Sequence, residues 1–252
     1  MEYTGYAVFC ISLFISHIVQ GITGFGAVIL ALPVIVFFFP VTTVVPALIV
    51  VNLLQTTYFM ISQREHIDWK QVRSIVLFML VGVPFGYAVF SEFSPDALKT
   101  ALGIFVIFVA VWNLSGVKLE KPAPMALYKL LLMMGGVAQG ALASGGPFIA
   151  IYSARMVPEK AAFRATLSTV WTGLNIVLCV AYTATGAWNS NMPVLMGLAV
   201  PCLVLGTATG MALHDRIREE PFKKLVYVVL LIAGAVLLKP VISGLLAGIV
   251  PE

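Results

Sequence analysis

Two glycine-rich stretches hold the residues best suited to chemistry. They are Gln20-Gly21-Ile22-Thr23-Gly24-Phe25-Gly26 and Gln139-Gly140-Ala141-Leu142-Ala143-Ser144-Gly145-Gly146-Pro147. Each interrupts a long apolar run. A helix that restarts after such a break begins with unpaired backbone N–H groups and a positive dipole end. Ser144 is predicted to cap the second restart, and Pro147 suits its first turn. Glycine lets a ligand approach the backbone. Two such helix starts meeting at depth would form an anion site. Gln20 and Gln139 can donate amide hydrogens to it, and Thr23 lies within the first stretch. The candidate substrate contacts are therefore Gln20, Thr23, Gly24, Gly26, Gln139, Ser144, Gly145 and Gly146. Asn52 and Thr56, four apart, share a helix face, as do Thr172 and Asn175 at three apart. Asn52, Thr56 and Asn175 join the candidates. The competing reading is that the glycines only permit close helix packing and the polar side chains only bond between helices. His17 is the only His, Lys, Arg, Asp or Glu deep in an apolar run, which makes it a coupling candidate. Its competing reading is a satisfied core histidine.

These residues need elements that can carry them through lipid. The chain has 252 residues, 60% apolar and 10% charged. Ordinary globular chains run at about 45–50% and 25%. That balance excludes a soluble domain and a disordered chain. It predicts an all-α polytopic membrane protein. Eight apolar runs can be read. The first repeat, 1–114, has a broken segment at 6–39 and helices at 44–62, 72–90 and 97–114. A cytoplasmic linker follows at 115–126. The second repeat, 127–239, has a broken segment at 127–156 and helices at 162–185, 192–213 and 222–238. The tail is 240–252. The arms of the second broken segment read as about 14 and 10 residues, too short to span a core of about 30 Å. Each broken segment is therefore expected to be a re-entrant helical hairpin.

The two halves match in order. Gln20-Gly21 pairs with Gln139-Gly140 and Trp69 with Trp188, both at an offset of 119. Gly82/Gly86 pairs with Gly206/Gly210 and Lys99 with Lys223, both at 124. These matches predict a duplication. The two GxxxG pairs read as packing faces, within the protomer or in a homodimer. At the offset of 119 the partner of His17 is Gly136. Thirteen of the fifteen Lys and Arg fall in four loops, which are expected to be cytoplasmic. The connections at 40–43, 91–96 and 186–191 are expected outside. Each repeat then makes three full crossings. The repeats are inverted and both termini lie outside. Cys10, Cys179 and Cys202 lie in apolar runs with no metal or redox spacing and read as buried apolar residues. The start lacks a basic leader pattern, so the N-terminus is expected to be retained.

The two glycine-rich stretches resemble the signature stretches of the TauE/SafE sulfite and organosulfonate exporters, and the resemblance covers nearly the whole chain. It implies a carrier in the plasma membrane (the prokaryotic inner membrane) for sulfur-containing anions such as sulfite, sulfoacetate or related sulfonates, working in the export direction. The residues themselves point the same way. All eleven Asp and Glu lie in loops or at the termini, whereas a cation pore would place carboxylates at depth. No GxxxxGK loop is present. The expected partners are a small anionic substrate and the bilayer, with no nucleic acid, metal or cofactor. The alternatives are a carrier for a carboxylate, a membrane-embedded enzyme, or a non-transporting membrane subunit.

Overall fold

Local sequence fixes where several helices begin. Asp68 accepts hydrogen bonds from the backbone N–H of Lys70 and Gln71 at 3.0 and 3.1 Å. Ser94 accepts from Ala97, with Pro95 following it in the first turn. Glu159 accepts from Ala161 and Ala162. Each satisfies donors that the helix cannot satisfy itself. The computed structural model describes residues 2–23, 26–115, 124–157, 159–188, 191–213, 227–240 and 243.

Among the described residues the chain is helical, with no strand. The helices are α1 (Glu2–Thr23), α2 (Ala27–Ile35), α3 (Val41–Ser62), α4 (Trp69–Glu92) and α5 (Pro95–Leu114). They continue as α6 (Met125–Leu142), α7 (Gly146–Met156), α8 (Lys160–Thr185), α9 (Met192–Leu213) and α10 (Tyr227–Pro240). Seven of them (α1, α3, α4, α5, α6, α8 and α9) are long and apolar enough to cross a bilayer. Most of the linker and the basic stretch after α9 lie outside the described residues.

Both broken segments fold back on themselves. Phe39, after α2, returns to Tyr6 and Phe9 near the start of α1, at ring-centroid distances of 5.5 and 6.1 Å. Tyr152 of α7 returns to Tyr128 of α6 at 6.1 Å. The breaks are narrower than the glycine-rich stretches suggest. α1 continues through Gly21 and Ile22 to Thr23, and α6 continues through Gly140 to Leu142. The arm lengths need correcting accordingly. α6 has 18 residues rather than 14, and both α1 and α6 are long enough by themselves to cross a bilayer. The cause is that Gly21 and Gly140 are packing positions inside helices. The short arms are α2 and α7, with 9 and 11 residues.

Glycines let helices from opposite halves touch backbone to backbone. A Cβ on Gly82 would meet the Met133 carbonyl oxygen, and one on Gly86 the Val137 oxygen, each at 2.0 Å. From the facing side, a Cβ on Gly136 or Gly140 would come 2.1 or 2.3 Å from the Met79 or Val83 oxygen. α4 and α6 therefore run parallel and nearly in contact. α9 meets α1 in the same way, with Gly206 against Phe14 and His17, and Gly210 against Ile18 and Gly21. Both GxxxG faces are consumed inside the protomer, which removes the sequence argument for a homodimer. α3 and α8 pack antiparallel. Thr172 donates to Thr56 at 3.1 Å, and Arg164 donates from Nε to Gln63 at 3.0 Å. The cysteines are free and half-buried rather than buried, and Cys10 meets Cys202 across α1 and α9.

Candidate functional site

The two glutamines do the same job in the two halves. Gln20 donates from Nε2 to Asn52 Oδ1 at 3.0 Å, and its Oε1 accepts the Ala27 N–H at 3.2 Å. Gln139 donates from Nε2 to Asn175 Oδ1 at 3.0 Å, and its Oε1 accepts the Gly145 N–H at 3.2 Å. Each glutamine thus ties the end of a long arm to the start of the short arm and to a spanning helix. The following glycine, Gly21 or Gly140, clears room for the neighbouring helix. This gives the Gln-Gly pair a physical reason: reach from one residue, close approach from the next.

Ser144 does not take the capping task that sequence assigns to it. The Ser144 hydroxyl instead donates to the Leu142 carbonyl at 2.9 Å, and no side chain caps α7 from the Gly145 position. Ala143, at φ 52°, turns the chain there, with its N–H bonded to the Gln139 carbonyl. In the first half the turn is made at Gly26, with φ 99°, a conformation that favours glycine.

One small cavity lies where the tips meet. Gln20, Gly26, Ala27, Val28 and Ile29 line it from the first half, and Gln139, Ala143, Ser144 and Gly146 from the second. Asn52 of α3 and Trp171 of α8 close it. By their place in the first turn, the N–H groups of Val28, Ile29, Gly146 and Phe148 have no acceptor within their own helix. The ends of α2 and α7 together amount to about one positive charge. Among the described residues no charged side chain lines the cavity. Such a wall offers an anion dipoles and amides rather than charges. The open space is about 20 Å³, where one water needs about 10–15 Å³ on the same measure. A larger ligand would need the tips to move apart.

The other expected residues divide. Gly145 supplies an N–H to Gln139 but does not line the cavity. Asn175 holds Gln139 and leaves its own buried Nδ2 without a partner among the described residues. Thr56 is buried between α3 and α8, bonded to Thr172 and outside the cavity. The Thr23 side chain and Gly24 lie outside the described residues. His17 is also absent from the cavity wall. Its Nδ1 lies 2.7 Å from Gln55 Oε1, and Gln55 donates from Nε2 to Thr207 Oγ1 at 2.7 Å. Sequence reasoning missed Trp171, Gln55 and Thr207. For Gln55 a usable signal existed: it lies three residues beyond Asn52 in a run with few other polar groups. Trp171 gave none, because an aromatic residue in an apolar helix reads as core.

Fold and cavity define a class: an all-helical, multi-pass membrane protein with a small, uncharged, amide-lined cavity between two broken helices. The chain belongs to the TauE/SafE sulfite exporter family, whose model matches residues 8–237. It is also similar to the probable sulfite/organosulfonate exporter TauE of Cupriavidus necator, at 26% identity over 236 residues. That match covers 89% of this chain and 90% of the relative. No solved structure matches the chain. Members of the family are exporters, not enzymes, so the chain is an anion transporter rather than a membrane-embedded enzyme.

Proposed function

We propose that the protein is a secondary exporter of small sulfur-containing anions, sulfite first among them, and that the anion sits between the first turns of α2 and α7. One observation carries this reading. The Gln20 and Gln139 linkages repeat each other and bring both helix starts to one cavity. Organosulfonates such as sulfoacetate share the same trigonal array of acceptor oxygens and extend the substrate class. A carboxylate offers two oxygens rather than three to the converging donors.

The halves act as inverted repeats. The antiparallel packing of α3 and α8 supports this, since each hairpin begins at the same end as the spanning helix that follows it. The Lys and Arg bias puts the α3–α4 and α7–α8 loops in the cytoplasm and both termini outside. Alternating access is then rocking of one half against the other around a fixed anion site. The close α1–α9 and α4–α6 contacts make each hairpin move with a helix of the opposite half.

Uptake of labelled sulfite into proteoliposomes tests the activity; flux no greater than in protein-free vesicles would contradict it. Topology has its own test. Single cysteines at Asp96 and Lys160, both exposed, are expected to react with a membrane-impermeant maleimide from opposite sides. Reaction of both from one side would overturn the inverted arrangement. Trp171 sets the size limit. Trp171→Phe is expected to raise the affinity for sulfoacetate relative to sulfite about threefold, less than one methylene-sized step in a pocket permits. Competition binding would show this, and an unchanged ratio would remove Trp171 as the size-setting wall.

A further inference from the structure

Among the described residues the polar chain beside the cavity has no counterpart in the other half. His17, Gln55 and Thr207 link α1, α3 and α9 through two short hydrogen bonds, and all three side chains are buried. At the offset of 119, Gly136 stands where His17 would be. At 123, the offset that relates Asn52 to Asn175, Leu178 answers Gln55. At 124, the offset of the GxxxG pair, Val83 answers Thr207. The second half therefore packs the same place without polar groups. A buried polar network that packing does not require invites a functional account.

The imidazole is left half satisfied. His17 is 2% exposed, and its Nε2 is buried with no partner among the described residues. With Gln55 Nε2 donating to Thr207, Gln55 Oε1 faces His17, so Nδ1 carries the hydrogen. Nε2 is then a bare acceptor in an enclosed site. His17 lies one helical turn from Gln20 on the same face of α1. A charge there would act on an anion at the tips through a medium that screens poorly.

We infer that His17 is a proton site that couples proton binding to anion binding, a deepening that rests on the anion-carrier reading above. A proton from water adds to Nε2 to give imidazolium as the anion enters, and it returns to water when the anion leaves. The proton comes from hydronium, so one O–H bond breaks as the N–H bond forms and the reverse occurs on release; no other bond changes. The charge of the loaded site is thereby reduced by one. Gln55 and Thr207 hold the ring and connect the event to α3 and α9. The groups facing His17 leave it the main titrating side chain. α3 and α9 carry no Asp, Glu, Lys, Arg or His; their ionisable side chains are Tyr58, which is exposed, and Cys202. α1 contributes Cys10, and α8 brings Arg164, whose Nη1 lies 3.5 Å from the Gly21 carbonyl oxygen. α2 has no ionisable residue.

Coupling of this kind is reciprocal: the anion must raise proton affinity by the factor by which the proton raises anion affinity. Sulfite binding is to be measured by calorimetry on the detergent-solubilised full chain, in buffers of different ionisation enthalpy. His17→Gln and His17→Asn are the variants, each checked for an unchanged melting temperature. The expected result is net proton uptake in the wild type beyond that of either variant. The variants should also bind sulfite about tenfold more weakly at low pH and lose the affinity difference as pH rises. Comparison with the variants cancels the titration of sulfite itself. Equal proton uptake in wild type and a folded variant would overturn the inference while leaving the carrier intact. A wild type that binds no sulfite would instead contradict the carrier reading and the inference with it.

Discussion

Gln139→Leu is expected to weaken sulfite binding by about ten- to a hundredfold, the range that follows from leaving buried hydrogen-bonding groups unpaired at about 1–3 kcal/mol. Three losses combine. The Gly145 N–H loses its acceptor, Asn175 Oδ1 loses its donor, and the cavity loses an amide. Gln20→Leu should behave alike, because Gln20 makes the corresponding bonds to Asn52 and Ala27. Gln139→Glu separates binding from folding. An ionised carboxylate still accepts the Gly145 N–H and keeps the side-chain shape, but it sets a negative charge beside the anion. Repulsion in a poorly screened site should reduce binding at least as much as the leucine variant does. Isothermal titration of the purified variants checks the series. Undiminished affinity in Gln139→Glu would remove Gln139 from the site.

The second large effect is on stability. Gly86→Ala should destabilise the protein by about 3 kcal/mol, the upper end of ordinary overpacking, because the new methyl would meet backbone rather than a movable side chain. That Cβ would lie 2.0 Å from the Val137 oxygen and 2.8 Å from the Ala141 nitrogen. Moving α4 outward to relieve the clash would also separate it from the Gly136 and Gly140 face of α6, and so shift Gln139. Gly173→Ala is the control. Nothing lies within 4 Å of a Cβ there, and alanine favours a helix interior over glycine by about 1 kcal/mol. Thermal melts in one detergent should therefore move in opposite directions. A Gly86→Ala protein as stable as the wild type would refute the close α4–α6 packing.

The broad architecture was legible because lipid imposes a simple rule: apolar runs long enough to span become helices. The break positions were legible to within a few residues, because glycine clusters mark where a helix stops. What the glycines do was less legible. Gly21 and Gly140 look like break residues, yet they sit inside helices where α9 and α4 approach. Sequence carries no direct record of a partner helix distant along the chain. The same limit hid the Gln55–Thr207 link, which joins residues 152 apart. Ser144 shows a different limit. Its position suits a cap, but its hydroxyl bonds the preceding turn, while Gln139 accepts the Gly145 N–H. Gln20 and Gln139 were readable as polar groups at depth; that they orient the helix starts was not.

The most direct measurement is a density map of the protein with sulfite, or its heavier analogue selenite, bound. One anion is expected between the first turns of α2 and α7, within hydrogen-bond reach of backbone N–H groups from both and of at least one of Gln20 and Gln139. An anion seated elsewhere, with the space between the tips filled by apolar side chains, would contradict it.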